Sequence, residues 1–252
     1  MAYDLISLNE FNRLGYREDS EAIIRYARLN PMFYRTNDYS HSFRVLWLLE
    51  EVLPYAVKVI PNFNPEKARA EAPIHDLVEL ITGDIQLDEK RKMTKEEKLE
   101  LDKKEAEAIE FFSAYFPKEI NGFNLRELLY NAKDKDTPEA QLVSLVDKRD
   151  GWGEAMHEVY AGNELFIEVV RSYDEKHFIP RKGKWPLIKD LFEIDHPFLN
   201  DPVELDYEAI AERGIFHTLK SIYQESSNPA YDLWRKITIA RDGPSSLVTW
   251  RG

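Results

Sequence analysis

The stretch APIHDLVELITGD (residues 72–84) sets His75, Asp76, Glu79 and Asp84 among positions that are otherwise almost all apolar or small. On a helix, Asp76 and Glu79 are three apart and share a face, with His75 at its edge, and Gly83 lets the chain turn so that Asp84 points back. Burying such groups without partners costs several kcal/mol. A solvated stripe is a poor alternative, because API and LVELIT leave little polar surface for water. The four groups need a shared partner.

Helical periodicity extends outward from this stretch. Residues 64–82 read as one helix capped by Asn64 and opened by Pro65, with Pro73 predicting a kink or a fresh start just before His75. Helices are also expected over 19–29 and over 40–53, the latter stopped by Pro54. Thr94 with Glu97 forms a capping-box pattern ahead of a long helix, and Thr137 with Pro138 opens another. Strand signals are few, so the expected fold is all-α. From about residue 176 the chain turns rich in proline and aromatics and loses its period, which suggests a connecting or lid segment, followed by helices near 205–224 and 229–239. Residues 1–175 are therefore expected to form the core, and 176–252 an extension that packs on the same domain and borders the pocket.

Composition limits the function classes. The 252 residues are 43% hydrophobic and 32% charged, with no apolar run of the roughly 20 residues a membrane helix needs. MAYDLISLNEF at the N-terminus lacks a basic region followed by an apolar one, so no secretory signal is expected. The absence of cysteine excludes disulfides, thiolate ligands and a cysteine nucleophile, and fits a reducing cytoplasm. A net charge of −12 argues against general binding to nucleic acid or membrane surfaces, while leaving room for a local basic pocket that takes a phosphate.

Two further residues share the character of the opening stretch. His41 opens a helix whose Val45 and Leu48 fall on its own side, and Asp147 sits among apolar positions in QLVSLVDKRD. With His75 and Asp76 they make two imidazoles and two carboxylates on three helices, a mixed nitrogen and oxygen set suited to Mn, Co, Zn or Mg.

His41, then His75-Asp76, then Asp147 resemble the H…HD…D signature of the HD-domain phosphohydrolases. HDLVELITGD, RTNDYSHS (35–42) and SLVDKRD (144–150) are similar to the subgroup of bacterial 5'-deoxynucleotidases, over roughly residues 20–170. Two departures stand out: the acidic residue that usually precedes the first histidine is Ser40 here, and the subgroup's upstream arginine–aromatic pair finds no clean match in RYARLNPMF. The resemblance implies an HD-domain helical bundle and hydrolysis of a phosphate ester by a metal-activated water. His41, His75, Asp76 and Asp147 would hold one divalent metal ion, Glu79 would orient or deprotonate the water, and Asp84 would touch the sugar or a metal ligand. Arg28 and Arg35 are candidates for the phosphate, as is Arg44, one turn from His41. Two-metal relatives carry extra histidines between the HD pair and the last Asp; here there are none, which favours a single ion. His157, His177 and His196 read as structural or lid residues, and PRKGK (180–184) as a solvated charge run or a phosphate-gripping loop.

The expected reaction is 5'-dephosphorylation of a (deoxy)nucleoside monophosphate. The alternatives are an HD hydrolase acting on a nucleoside triphosphate, alarmone or cyclic nucleotide, and a non-catalytic nucleotide-sensing module, which the complete ligand set disfavours. The implied partner is a small phosphorylated nucleotide, with a homodimer as an option that the family offers.

Overall fold

The structure, a computed structural model, describes residues 16–29, 32–34, 36–83, 85, 92–214 and 226–242. Arg35, Asp84 and the end of the helix expected over 205–224 lie outside them. Among the described residues the fold is an all-α HD-type bundle with one tiny hairpin. None of its helices is long and apolar enough to cross a membrane.

Helix α1 (Tyr16–Ala22) is shorter than the spacing of 19–29 predicts. The reason lies in residues further along the chain: Ile24 bridges to Asn37, Arg25 donates its backbone N–H to Thr36, and Asp38 donates to Ile23. That pairing takes the backbone groups a helix would need, and Tyr26 then adopts a left-handed φ of 52°. Helix α2 (Asp38–Val59) starts on the Asn37 side chain, which accepts from the Ser40 backbone N–H. It runs straight through Pro54, correcting the expected stop. Pro54 is exposed, and the residues around it, Val52, Leu53 and Ala56, are buried in the core. Their burial outweighs the one hydrogen bond that proline removes.

The 64–82 stretch is broken, as Pro73 predicts. Helix α3 (Pro65–Glu71) gives way to a 3₁₀ turn (Ala72–Ile74), residues 75–78 continue as turns, and α4 (Glu79–Thr82) is a single helical turn closed by Gly83 at φ 77°. Tyr16 donates its hydroxyl to the Pro73 carbonyl at 3.0 Å, satisfying a group left over at the break. Helix α5 (Lys95–Tyr115) carries the full Thr94–Glu97 capping box. The hairpin of β1 (Glu119–Ile120) and β2 (Phe123–Asn124) turns through Asn121 and Gly122, both at positive φ, into α6 (Leu125–Asp134).

Helix α7 (Pro138–Tyr160), capped by Thr137, is the axis of the bundle and is buried over most of its length. It packs against α2, α3 and α6, and also meets α8 (Ile167–Tyr173), α10 (Tyr207–Arg213) and α11 (Pro229–Asp242), the last of which touches α2 as well. Between α8 and α10 run a π-helical turn (Asp174–Phe178), the short α9 (Arg181–Lys184) and a 3₁₀ stretch (Pro186–Glu193). Trp185, Ile188, Leu191, Phe198 and Leu199 from this segment join the core built by α2 and α7, while α5 and α6 enclose a second core that takes Ile74 and Leu77. The turn bearing His75 and Asp76 thus sits at the seam of two cores.

Helix α11 docks closely on α7. A methyl group placed on Gly153 would lie 2.4 Å from the Trp234 ring, so only glycine permits this approach. Tyr231 there hydrogen-bonds His157 Nδ1 at 2.8 Å. Burial and the Arg235 charge push the His157 pKa down to about 4. An unfolded His titrates near 6.5, so between pH 6.5 and 4 the unfolded chain binds a proton that the folded one excludes. Folding stability from this group is full above 6.5 and falls as pH drops, by about 3 kcal/mol at pH 4. His157→Gln is expected to flatten the urea-unfolding free energy over that window relative to the parent; an unchanged slope would remove His157 as its cause.

Candidate metal centre

Three elements bring the ligands together. His41 lies in the first turn of α2, buried completely; His75 and Asp76 follow the break at Pro73; Asp147 sits midway along α7. One donor atom from each of the four falls within 4.8 Å of the others. His41 Nε2 stands 3.4 Å from Asp76 Oδ2 and 3.3 Å from Asp147 Oδ1, and His75 Nε2 lies 3.1 Å from Asp76 Oδ2.

The chemistry of this set fits a divalent cation. His75 Nδ1 is 2.7 Å from the Ala72 carbonyl and His41 Nδ1 is 2.7 Å from Asp150 Oδ2, so each ring commits its Nδ1 proton to an acceptor and turns Nε2 inward. The two Nε2 atoms face each other at 3.3 Å, where two lone pairs repel unless a positive charge lies between them. Burial and Arg25 oppose a charge on His41, yet Asp147, Asp150 and Asp76 raise its pKa well above the usual histidine value. The carboxylates respond in kind. Burial would raise Asp76, but His75 and His41 hold it well below the usual carboxylate range, and Lys148 and His41 do the same for Asp147.

Behind the cluster lies a buried charge network that begins at Asp150, one turn beyond Asp147. Asp150 accepts from Arg44 Nε at 3.0 Å and from the Trp234 indole N–H at 2.8 Å, besides its contact with His41. Arg44 also bonds Glu154 and Thr36, and Glu154 in turn holds Arg25 at 3.0 Å. Arg44 therefore does not face the cavity. Its Nε and Nη2 are spent on buried acceptors, and what it holds is the anchor of His41. Arg28 is exposed on the loop after α1. Arg25, by contrast, places Nη1 4.0 Å from Asp76 Oδ2, with the Tyr26 ring beside its guanidinium at 5.6 Å. Tyr26 donates to the Gly151 carbonyl or pairs with the Tyr173 hydroxyl, each at 2.9 Å. An arginine followed by an aromatic thus reaches the cluster after all, from the segment where sequence reading found no clean match. The bridge to Asn37 that puts it there has no local signature.

A cavity of about 160 Å³ opens on the cluster, with His75, Asp76, Glu79, Asp147 and Lys148 on its wall. Lys148 Nζ lies 2.6 Å from Asp147 Oδ2. The described part of the segment after residue 176 backs α7. It does so through Trp185 Nε1 to Ser144 and through Arg149 to the Phe198 carbonyl. In PRKGK, Arg181 pairs with Asp201 and Lys182 with Glu193, as a solvated charge run does. His196 contacts Glu51.

The profile of the 5'-deoxynucleotidase YfbR-like family matches residues 17–177. No curated protein matches the chain. Among solved structures, a conserved hypothetical protein from Pyrococcus furiosus shares the fold at a TM-score of 0.50 and 23% identity, covering 73% of this chain and 99% of its own.

Proposed function

Since the chain belongs to the YfbR-like 5'-deoxynucleotidase family, we propose that it hydrolyses the 5'-phosphate of a deoxynucleoside monophosphate with one divalent ion held by His41, His75, Asp76 and Asp147. The observation that carries this reading is the convergence of those four donors, three of them on the wall of a cavity that Lys148 and Glu79 also line. A bound divalent ion supplies there a water of lowered pKa and neutralises phosphoryl charge. The chain's own residues do the rest. Arg25 and Lys148, flanking the carboxylates Asp76 and Asp147, bind the phosphate oxygens and fix the phosphorus near the ligands. Glu79, on the cavity wall one helical turn from Asp76, receives the proton of the attacking water. Asp150 keeps His41 in the tautomer that presents Nε2.

Phosphate release from a panel of nucleoside monophosphates, with Mn, Co, Zn or Mg and after chelation, tests the reading; no release from any of them with any ion would sink it. Glu79→Gln is expected to keep the ion and the substrate affinity and lose about 10²–10⁴-fold in kcat, the scale of general acid–base assistance. Loss of the ion on metal analysis would make Glu79 a ligand instead, and a normal kcat would remove it from the mechanism.

A further inference from the structure

From Asp147 the cavity runs back along α7, past Ser144 and Val143 to Ala140, where α3 and α6 line it with Glu71, Leu129 and Ala132. Seven residues of helix rise by about 10 Å, the order of a nucleoside's reach from its 5'-oxygen to the far edge of its base. Glu79 and Glu105 belong to the part of the wall that α4 and α5 supply, and Lys133 turns towards Asp102 of α5. Glu71 is the unusual group at the inner end. It is wholly buried, and neither carboxyl oxygen has a hydrogen-bond partner among the described residues. Such a group is costly to keep unless something satisfies it. Burial pushes its carboxyl up to about 8; Lys67 and Lys135 oppose the rise, and Glu139 and Asp136 add to it. At neutral pH Glu71 is therefore protonated, with one O–H to donate and one C=O to accept. Ser144 Oγ accepts from the Trp185 indole at 3.3 Å, which leaves its own O–H as a donor. Lys135, at the end of α6, brings to the same wall an ammonium that no described carboxylate pairs. Donors outnumber acceptors here.

We propose that this inner end is the base subsite, and that Glu71, with Lys135 and Ser144, selects pyrimidine over purine deoxynucleoside monophosphates. The inference rests on the function proposed above, because it takes the 5'-phosphate to sit at the cluster. Thymine, uracil and cytosine each present two acceptors and one donor on their pairing edge. Guanine presents one acceptor and two donors, and adenine one of each. A wall with a single acceptor and a surplus of donors satisfies the pyrimidine edge in full, whichever way the ring lies. Guanine leaves one of its own donors unpaired, and adenine leaves a donor of the wall unpaired, which is how a polar site rejects a near match. Ionised Glu71 would exchange its donor for a second acceptor, and the wall would then suit guanine.

The test needs no turnover. The protein, Glu71→Met and Glu71→Gln are titrated calorimetrically with thymidine, deoxycytidine, deoxyadenosine and deoxyguanosine, none of which carries a phosphate to be hydrolysed. At neutral pH the two pyrimidine nucleosides are expected to bind about tenfold more tightly than the purine ones, the scale of one unmade hydrogen bond to a buried group. The preference should be lost in Glu71→Met, which has no donor to offer, and retained in Glu71→Gln, whose amide keeps a donor and an acceptor. Raising the pH from about 6.5 to about 9 ionises Glu71 and should bring deoxyguanosine level with thymidine in the parent, while Glu71→Gln holds its preference. The values of kcat/KM for the four monophosphates should follow the same order. Equal affinity for pyrimidine and purine nucleosides, a preference that survives Glu71→Met, or one that vanishes in Glu71→Gln overturns the subsite. If Glu71→Met does not fold, the pH response decides: a deoxyguanosine-to-thymidine ratio that moves equally in the parent and in Glu71→Gln removes Glu71 from base selection. If no monophosphate is hydrolysed while the preference in binding stands, it is the hydrolase reading that fails and not the subsite.

Discussion

Asp76→Ala is expected to purify folded and without its ion, with turnover lower by about 10⁴-fold or more, the scale seen when one member of a catalytic unit is removed. The argument is geometric. Asp76 Oδ2 lies within 3.4 Å of both inward-facing histidine nitrogens, 3.1 Å from His75 and 3.4 Å from His41. Without it the remaining set is two imidazoles and one carboxylate, and that carboxylate is already shared with Lys148. Asp76 is partly accessible at the cavity wall rather than deep in the core, so its loss leaves a wet gap instead of a packing defect. Metal analysis and phosphate release on the same preparation decide the matter. A full complement of ion in Asp76→Ala would show that the cluster is not what holds it.

Asp150→Ala should be the more damaging change to the protein itself. Asp150 is fully buried, yet Arg44 and His41 keep its carboxyl ionised far below the usual range in spite of that burial. Removing it strands the Arg44 guanidinium, 1% exposed, with Glu154 and Thr36 alone, and breaking one partner out of a buried ion pair typically costs about 3–5 kcal/mol. For a chain of this size that corresponds to a fall in Tm of roughly 6–20 °C. His41 loses its acceptor at the same time, so metal affinity should drop by about 10–100-fold. Trp234→Phe removes a single donor to the same carboxylate and should cost about 1.5–3 kcal/mol. Differential scanning calorimetry of the two variants is the check: a Tm for Asp150→Ala within a degree of the parent would mean that the network does not hold the fold.

Much of this arrangement is legible locally. The caps at Asn64, Thr94 and Thr137 are written within three or four residues, and so is the break at Pro73, because each is a contest between neighbouring backbone groups. His41, His75, Asp76 and Asp147 stand out for a similar reason, as polar groups at positions whose periodicity is apolar. What escapes a local reading depends on partners far along the chain. Arg25 reaches the cluster because residues 23–25 pair with 36–38, which a helical period over 19–29 cannot reveal. Arg44 has the right helical spacing from His41 but faces the interior, and spacing alone does not distinguish the two sides. Asp150 carries the signal of sitting one turn from Asp147, yet its importance follows from Trp234, 84 residues away. The aromatics of the segment after 176 complete the core behind α7, a packing that no local period announces.

That separation between Asp150 and Trp234 also sets a schedule. A ribosome adding about 5–20 residues per second reaches Trp234 roughly 4–17 s after Asp150. During that interval α2 and α7 are available to pack and all four candidate ligands have been made, but the carboxylate that orients His41 lacks its indole donor and the face of α7 around Gly153 is uncovered. The last described helix to be synthesised, α11, thus docks on a bundle whose four candidate ligands were all made before it.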